Sequence, residues 1–325
     1  MWRLASRRCE PFLPPAPRSI SMIRTVSMLP AATEIVGALG LMDQLLAVSH
    51  ECDYPAEANL RPRVTHCEIY GTGLPSAEID RWVSARIQSG DSLYTLDEEL
   101  LRELAPDLIL TQRLCDVCAP SYGSVSALAE RLASKPQVLN LEPNCLGEIL
   151  EEFEIVASAM GHPGRGVEAL RSFDERIDRV VRRVDGLRRP TAFIMEWAEP
   201  IYNSGHWNPE LIRLAGGTAV LSPEKGYSVQ VPWDDLRTAD PEVLVIACCG
   251  HGVERTLQDI PLLKKLPGWN SLHAVRSQRV FVADGCAYFS RPGPRIVDTL
   301  EILAGLLHPK ECGDLCHEGK AVPVP

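Results

Sequence analysis

The chain has 325 residues, 45% apolar and 23% charged, with 43 acidic against 33 basic side chains and a formal net charge of −10. This is the balance of a globular protein long enough for two domains with sizeable cores, and it excludes nucleic acid or an anionic membrane surface as the main partner. No run approaches the roughly 18 apolar residues of a membrane span, and eleven cysteines without the dense spacing of a small secreted fold point to reduced thiols or metal chemistry.

Residues 1–21 contain arginines but no apolar signal core, so they read as a disordered leader to a fold that starts at Met22. On that reading the protein is expected in the cytoplasm. The first lobe, 22–143, opens with the strand "IRTVSML", and Pro30 starts the helix "AATEIVGALGL", which stops at Gly40. The strand "LLAVSHE" and a turn-rich stretch follow. The helix "DEELLRELA" then leads through Pro106 into the strand "DLILTQ". A helix, "GSVSALAERLAS", and a strand, "QVLNLEP", complete the lobe.

Residues 144–189 show no strand pattern and read as two helices in series. Leu146, Ile149, Phe153, Val156 and Met160 recur at helical spacing, then Val167, Leu170, Phe173, Ile177, Val180, Val184 and Leu187. The second helix spans about 20 residues, or roughly 30 Å at 1.5 Å per residue. Its remaining faces are charged, so it reads as a spine with one packed stripe. The second lobe, 190–307, alternates again: strands "RPTAFIMEW", "EVLVIACC" and "RVFVAD", with helices "NPELIRLAGG", "WDDLRTA", "TLQDIPLLKKL" and "IVDTLEILAGLL". The fold expected is α/β, two lobes with mainly parallel sheets joined by the spine. Residues 308–325 read as a disordered tail. "DEELLRELAPDLILT" and "WDDLRTADPEVLVIA" echo one another, each an acid-led helix, a Pro, an acid and a strand.

In parallel α/β sheets ligands gather at the carboxyl ends of strands, and unusual residues collect there five times. His50, Glu51, Cys52, Asp53 and Tyr54 follow "AVS", and Cys115 and Cys118 follow "LILTQR". Glu196, Trp197, Tyr202, His206 and Trp207 follow "AFIM"; Cys248, Cys249 and His251 follow "VLVIA"; Cys286, Tyr288 and Phe289 follow "VFVAD". Each residue alone has an ordinary reading, such as a buried cysteine used as a small apolar filler or a hydrogen-bonded loop histidine. The repetition points to a cleft between the lobes. Cys52, Cys115, Cys118, Cys248, Cys249 and His251 form the donor set for a transition metal (zinc, iron or copper), the alternative function being a metal-binding protein or chaperone. A redox or metal-dependent enzyme ranks last, because no nucleophile, base and orienting group assemble. "GHPGRG" lies between helices and is no phosphate loop.

"SMLPAATEIVGALGL" with "AVSHECDYP", "LAPDLIL", "VPWDDL" and "RPGPRIVDTLE" resembles the class III substrate-binding proteins of ABC importers, whose members bind iron siderophores, haem and vitamin B12. The likeness runs from Ile23 to Leu307 and is strongest to the cobalamin-binding branch. It implies a non-catalytic monomer that encloses cobalamin or a related corrinoid between two lobes, for import or intracellular handling. Matching ligand positions are Pro30, Ala31, Ala32, Tyr54, Trp197, Tyr202, His206, Trp207, Tyr288 and Phe289, with His50, His206 or His251 as donors to cobalt. Glu99 and Asp234 match the acids with which such proteins dock onto an ABC permease. The resemblance also makes a periplasmic location the alternative to the cytoplasm.

Overall fold

The computed structural model describes residues 22–113, 120–316 and 319–324. In the first lobe the elements run β1 Thr25–Ser27, α1 Pro30–Ala38, β2 Leu45–Ala47, β3 Thr65–His66, α2 Ser76–Ser89, β4 Thr95–Leu96, α3 Glu98–Leu104, β5 Leu108–Thr111, α4 Tyr122–Arg131 and β6 Gln137–Asn140. Strands β2-β1-β5-β6 form one parallel sheet. All four residues of β5 are buried, as expected for a parallel strand covered on both faces. Strands β3 and β4 pair separately, antiparallel, and the long excursion between them carries α2.

Two helices follow, α5 Leu146–Ala159 and α6 Arg165–Val184. The second lobe contains β7 Thr191–Ala198, β8 Ile201–Asn203, α7 Asn208–Leu214, β9 Thr218–Ala219, α8 Trp233–Ala239, β10 Val243–Ile246, α9 Val253–Leu257, α10 Ile260–Leu263, α11 His273–Arg276, β11 Val280–Ala283, α12 Ile296–Leu307, α13 Pro309–Cys312 and β12 Ala321–Pro323. Its sheet runs β12-β11-β10-β7-β8, with β9 also on β7. The centre is parallel, whereas β8 and β12 are antiparallel.

The spine is a pair of helices rather than one. Leu146, Ile149 and Leu150 of α5 join the core of the second lobe, while Phe153, Val156 and Met160 join that of the first. In α6 the order reverses: Leu170 packs on the first lobe, Ile177, Val180 and Val184 on the second, and Phe173 on both. Each helix thus ties one half of its apolar stripe to each lobe, which fixes their separation. At the turn between them, Glu154 accepts hydrogen bonds from the Gly164 and Gly166 amides (2.7 and 3.1 Å), a carboxylate capping a helix start. A Cβ at Gly166 would stand 2.4 Å from the Glu154 backbone, so only glycine permits this approach.

The sequence echo is structural. Glu99 and Asp234 both occupy the second position of a seven-residue helix. Leu101 and Leu236 are fully buried at matching positions. Ala105 (φ 40°, ψ 61°) and Asp240 (φ 40°, ψ 62°) end the helices in the same left-handed conformation. Asp107 and Glu242 each accept the amide that opens a neighbouring strand, from Arg24 and Thr191 (2.9 Å each).

The tail differs from the loose extension expected. Cys312 and Leu315 are buried in the second lobe's core, Asp314 pairs with Arg183 of the spine (2.9 Å), and β12 extends the sheet from β11. Proline and glycine make this segment look structureless, but Pro309 sits at the first turn of α13, where it is tolerated. Among the described residues, no helix is long and apolar enough to cross a membrane.

Candidate functional site between the lobes

On the first-lobe wall His50 leaves the end of β2. Its amide donates to Thr65 Oγ1 (2.9 Å), and its Nδ1 lies 2.7 Å from the same oxygen. The ring sits between Tyr70 (4.9 Å, edge-on) and Tyr94 (5.6 Å). Burial lowers the His50 pKa to about 4, helped by the neighbouring His66 and Arg63. The imidazole is therefore neutral at pH 7, and its buried Nε2 has no hydrogen-bond partner.

The second-lobe wall repeats the device. Trp197 at the end of β7 lies against His251, beyond β10, at 5.0 Å between ring centres. Burial takes His251 to about 4 as well, with Arg255 adding to the shift, and its Nδ1 lacks a partner. Glu196 precedes the tryptophan. Its carboxyl is pushed up by burial and accepts hydrogen bonds from Ser204 (3.0 Å) and Ser228 (2.9 Å). On the first lobe Glu51 is pushed up to about 7 by burial, against the pull of Arg291. The π-helical turn Gly285–Phe289 completes this wall. A Cβ at Gly285 would stand 2.2 Å from the Cys248 carbonyl oxygen, so glycine lets the turn close onto β10.

Two bridges join the walls. At the floor, Glu34 of α1 is wholly buried and pairs with Arg295 (2.6 and 3.0 Å) and Arg291 (3.1 Å) from the other lobe. Burial pushes the Glu34 carboxyl up, and the two guanidiniums pull it back. Arg291 also reaches Asp53 and the Cys286 sulfur, and the Arg295 guanidinium lies 4.5 Å over Tyr54. At the rim, Ser76, at the start of α2, donates to Asp259 (2.6 Å), while Arg255 donates to the Leu74 carbonyl (2.9 Å). Ser76 is the one buried residue of α2, so this helix is held across the opening largely by the second lobe.

The residues singled out from sequence separate into groups. His50 stands after β2 on the first lobe, Trp197 and His251 lie together on the second, and Tyr202 lies beside Trp197 on β8. Tyr54 and Tyr288 flank Arg295. Pro30 starts α1, but Ala31 and Ala32 are buried, with the Gly293 backbone against Ala31. Trp207 and Phe289 are corrections to the expectation of ligand contact. They are 4% and 0% exposed, members of the second lobe's core, joined by a Trp207 Nε1 bond to the Phe289 carbonyl (3.1 Å). His206 packs between Trp207 and Tyr227. Glu99 and Asp234 are exposed.

Among the described residues the expected metal set does not assemble as one group. Cys52 is a core thiol held by Thr33 and Ser49 (3.1 Å each), Cys249 is half-buried beside Cys248, and Cys115 and Cys118 lie outside the described residues. Among the described residues the one convergent donor group is Cys248, His251 and Asp259. Sequence reading missed Asp259, Ser76, Tyr70, Tyr94 and the charge cluster of Glu34, Arg291 and Arg295. Glu34 carried a signal: a carboxylate on the apolar face of α1 needs a cationic partner, and "RPGPR" supplies two.

Comparison with known proteins places this architecture. The family described as periplasmic binding protein matches residues 26–286. The chain belongs to that family. Its members bind solutes and are not enzymes. A vitamin B12-binding protein of Vibrio cholerae is 24% identical over 282 residues, 86% of each chain. The crystal structure of a periplasmic vitamin B12 binding protein from that organism superposes with a TM-score of 0.65 at 23% identity, covering 88% of this chain and 96% of that one. A periplasmic heme binding protein from Pseudomonas aeruginosa gives 0.67 at 18% identity, covering 94% and 96%. The cytoplasmic placement expected from the leader draws no support from these relatives, whose family is periplasmic.

Proposed function

We propose that this periplasmic binding protein family member takes cobalamin or a related corrinoid between its lobes, without catalysis. The observation that carries the reading is a ring cluster on each lobe, His50 with Tyr70 and Tyr94 on the first and Trp197 with His251 on the second. Flat, neutral rings suit the faces of a large conjugated macrocycle. Apolar burial at about 25 cal/mol per Å² would supply most of the affinity before ordering costs are subtracted. Polar groups at the rim would set orientation. His50 would be the donor to cobalt once its ring turns outward, since Thr65 holds one ring nitrogen and the other is buried without a partner.

The charges favour a corrinoid over haem. Arg291 and Arg295 are already paired with Glu34 and Asp53, and Glu51 lies within reach of the Arg291 charge. Haem would bring two propionates toward these carboxyls, a like-charge arrangement that costs energy in a partly desolvated site. A corrinoid's peripheral amides are neutral and pair with carboxyls in either protonation state. Glu99 and Asp234, at equivalent helix positions on the two lobes, would dock onto an ABC permease. The test is Trp197→Ala and Tyr70→Ala, each expected to weaken cobalamin binding by more than about 1 kcal/mol, the mark of an aromatic contact that matters. Dissociation constants unchanged in both would remove the walls from the site.

A further inference from the structure

We propose that Cys248, His251 and Asp259 form a binding site for a borderline divalent cation of the zinc(II) type in the second-lobe wall. Their donor atoms all lie within 4.8 Å of one another. A tetrahedral zinc, with bonds of about 2.0–2.3 Å, needs its donors roughly 3.3–3.8 Å apart, so an inward shift of about 1 Å closes the set. Two observations support a ligand rather than a packing accident. The buried Nδ1 of His251 has no partner, which leaves the cost of burying that atom uncompensated. The Asp259 carboxylate receives Arg255 on one oxygen (3.1 Å) and Ser76 on the other (2.6 Å), so each oxygen keeps a lone pair for a metal. Those two partners then orient the ligand, as outer groups do in metal sites.

The mixture of thiol, imidazole and carboxylate suits zinc(II) or cobalt(II) and not magnesium or calcium, which require oxygen throughout. Binding displaces the Cys248 thiol proton to solvent and forms a metal–sulfur bond. Cys248 and Asp259 are buried and His251 is half-buried, and a tetrahedral zinc would take its fourth ligand from water or a bound molecule. Ser76 belongs to the first lobe, so a loaded site also holds α2 across the rim. The cysteine-rich set read from sequence gives way to one in which Asp259 takes part.

Metal-free full-length protein is titrated with cobalt(II), reading the thiolate-to-cobalt charge-transfer absorption, and with zinc(II) by calorimetry. One equivalent is expected. Cys248→Ala and His251→Ala should each weaken zinc binding at least about 100-fold, and Ser76→Ala about 10-fold. Cys248→Ser keeps the side-chain volume and removes the band even where the alanine variant fails to fold. Melting temperatures without metal check folding throughout. The proposal is overturned by the absence of a thiolate band in the parent protein, by a band that survives Cys248→Ser, or by one that disappears in Cys115→Ser/Cys118→Ser instead.

Discussion

Removing the charge of Glu34 should loosen the floor of the cleft. The carboxylate is wholly buried and receives three guanidinium contacts, two from Arg295 at 2.6 and 3.0 Å and one from Arg291 at 3.1 Å. Deleting one member of a buried ion pair costs about 3–5 kcal/mol, mostly from the charge left behind. Here the orphaned charges are partly caught, Arg291 by Asp53 and Arg295 by the Tyr54 ring. The lower end, about 3 kcal/mol, is therefore expected for Glu34→Ala. Glu34→Gln keeps an acceptor and should cost about 1–2 kcal/mol, since hydrogen bonds to charged groups are worth about 1.5–3 kcal/mol each. Urea unfolding followed by both tryptophan fluorescence and circular dichroism measures this, because two lobes need not unfold together. A loss below about 1 kcal/mol for the alanine variant would mean that this buried cluster does not hold the lobes.

Other consequences are as specific. Burial raises Glu152, inside α5, to about 8. The folded state therefore holds a proton that the unfolded chain releases near pH 4.5, and stability falls as pH rises from about 4.5 to 8. Glu152→Gln should flatten that slope and stabilise the protein by a few kcal/mol above pH 8, and equal pH profiles would refute the assignment. Trp207→Ala should cost about 3–5 kcal/mol of stability as a core truncation; a loss confined to ligand affinity would return Trp207 to the cleft. Deleting residues 309–325 should remove the burial of Cys312 and Leu315, at about 1.5–3 kcal/mol for the leucine alone, and an unchanged unfolding midpoint would make the tail dispensable.

The lobes and spine were legible because periodicity reports burial directly. The run Leu108–Thr111 and the stripe from Val167 to Val184 can be satisfied only by a covered strand and a bridging helix. The echo was legible because identical caps need similar local sequence. What stayed hidden depends on contacts between distant segments. Trp207 carries the chemistry of a cleft aromatic, and only the approach of the Phe289 carbonyl, from another strand end, turns it inward. Helix α2 has little apolar pattern because its anchor is one hydroxyl against Asp259, so the stretch read as turns. Asp259 looked like an ordinary helix acid until the β10 loop brought Cys248 and His251 beside it.

The central claim is tested most directly by titrating the full-length protein with cobalamin and, separately, with haem at pH 7, following heat and visible absorption. Stoichiometric cobalamin binding is expected, with a cobalt spectrum that changes in the parent and not in His50→Ala, and haem affinity at least about tenfold weaker, 1.4 kcal/mol. Haem bound as tightly as cobalamin, or cobalamin failing to bind while haem does, would contradict it.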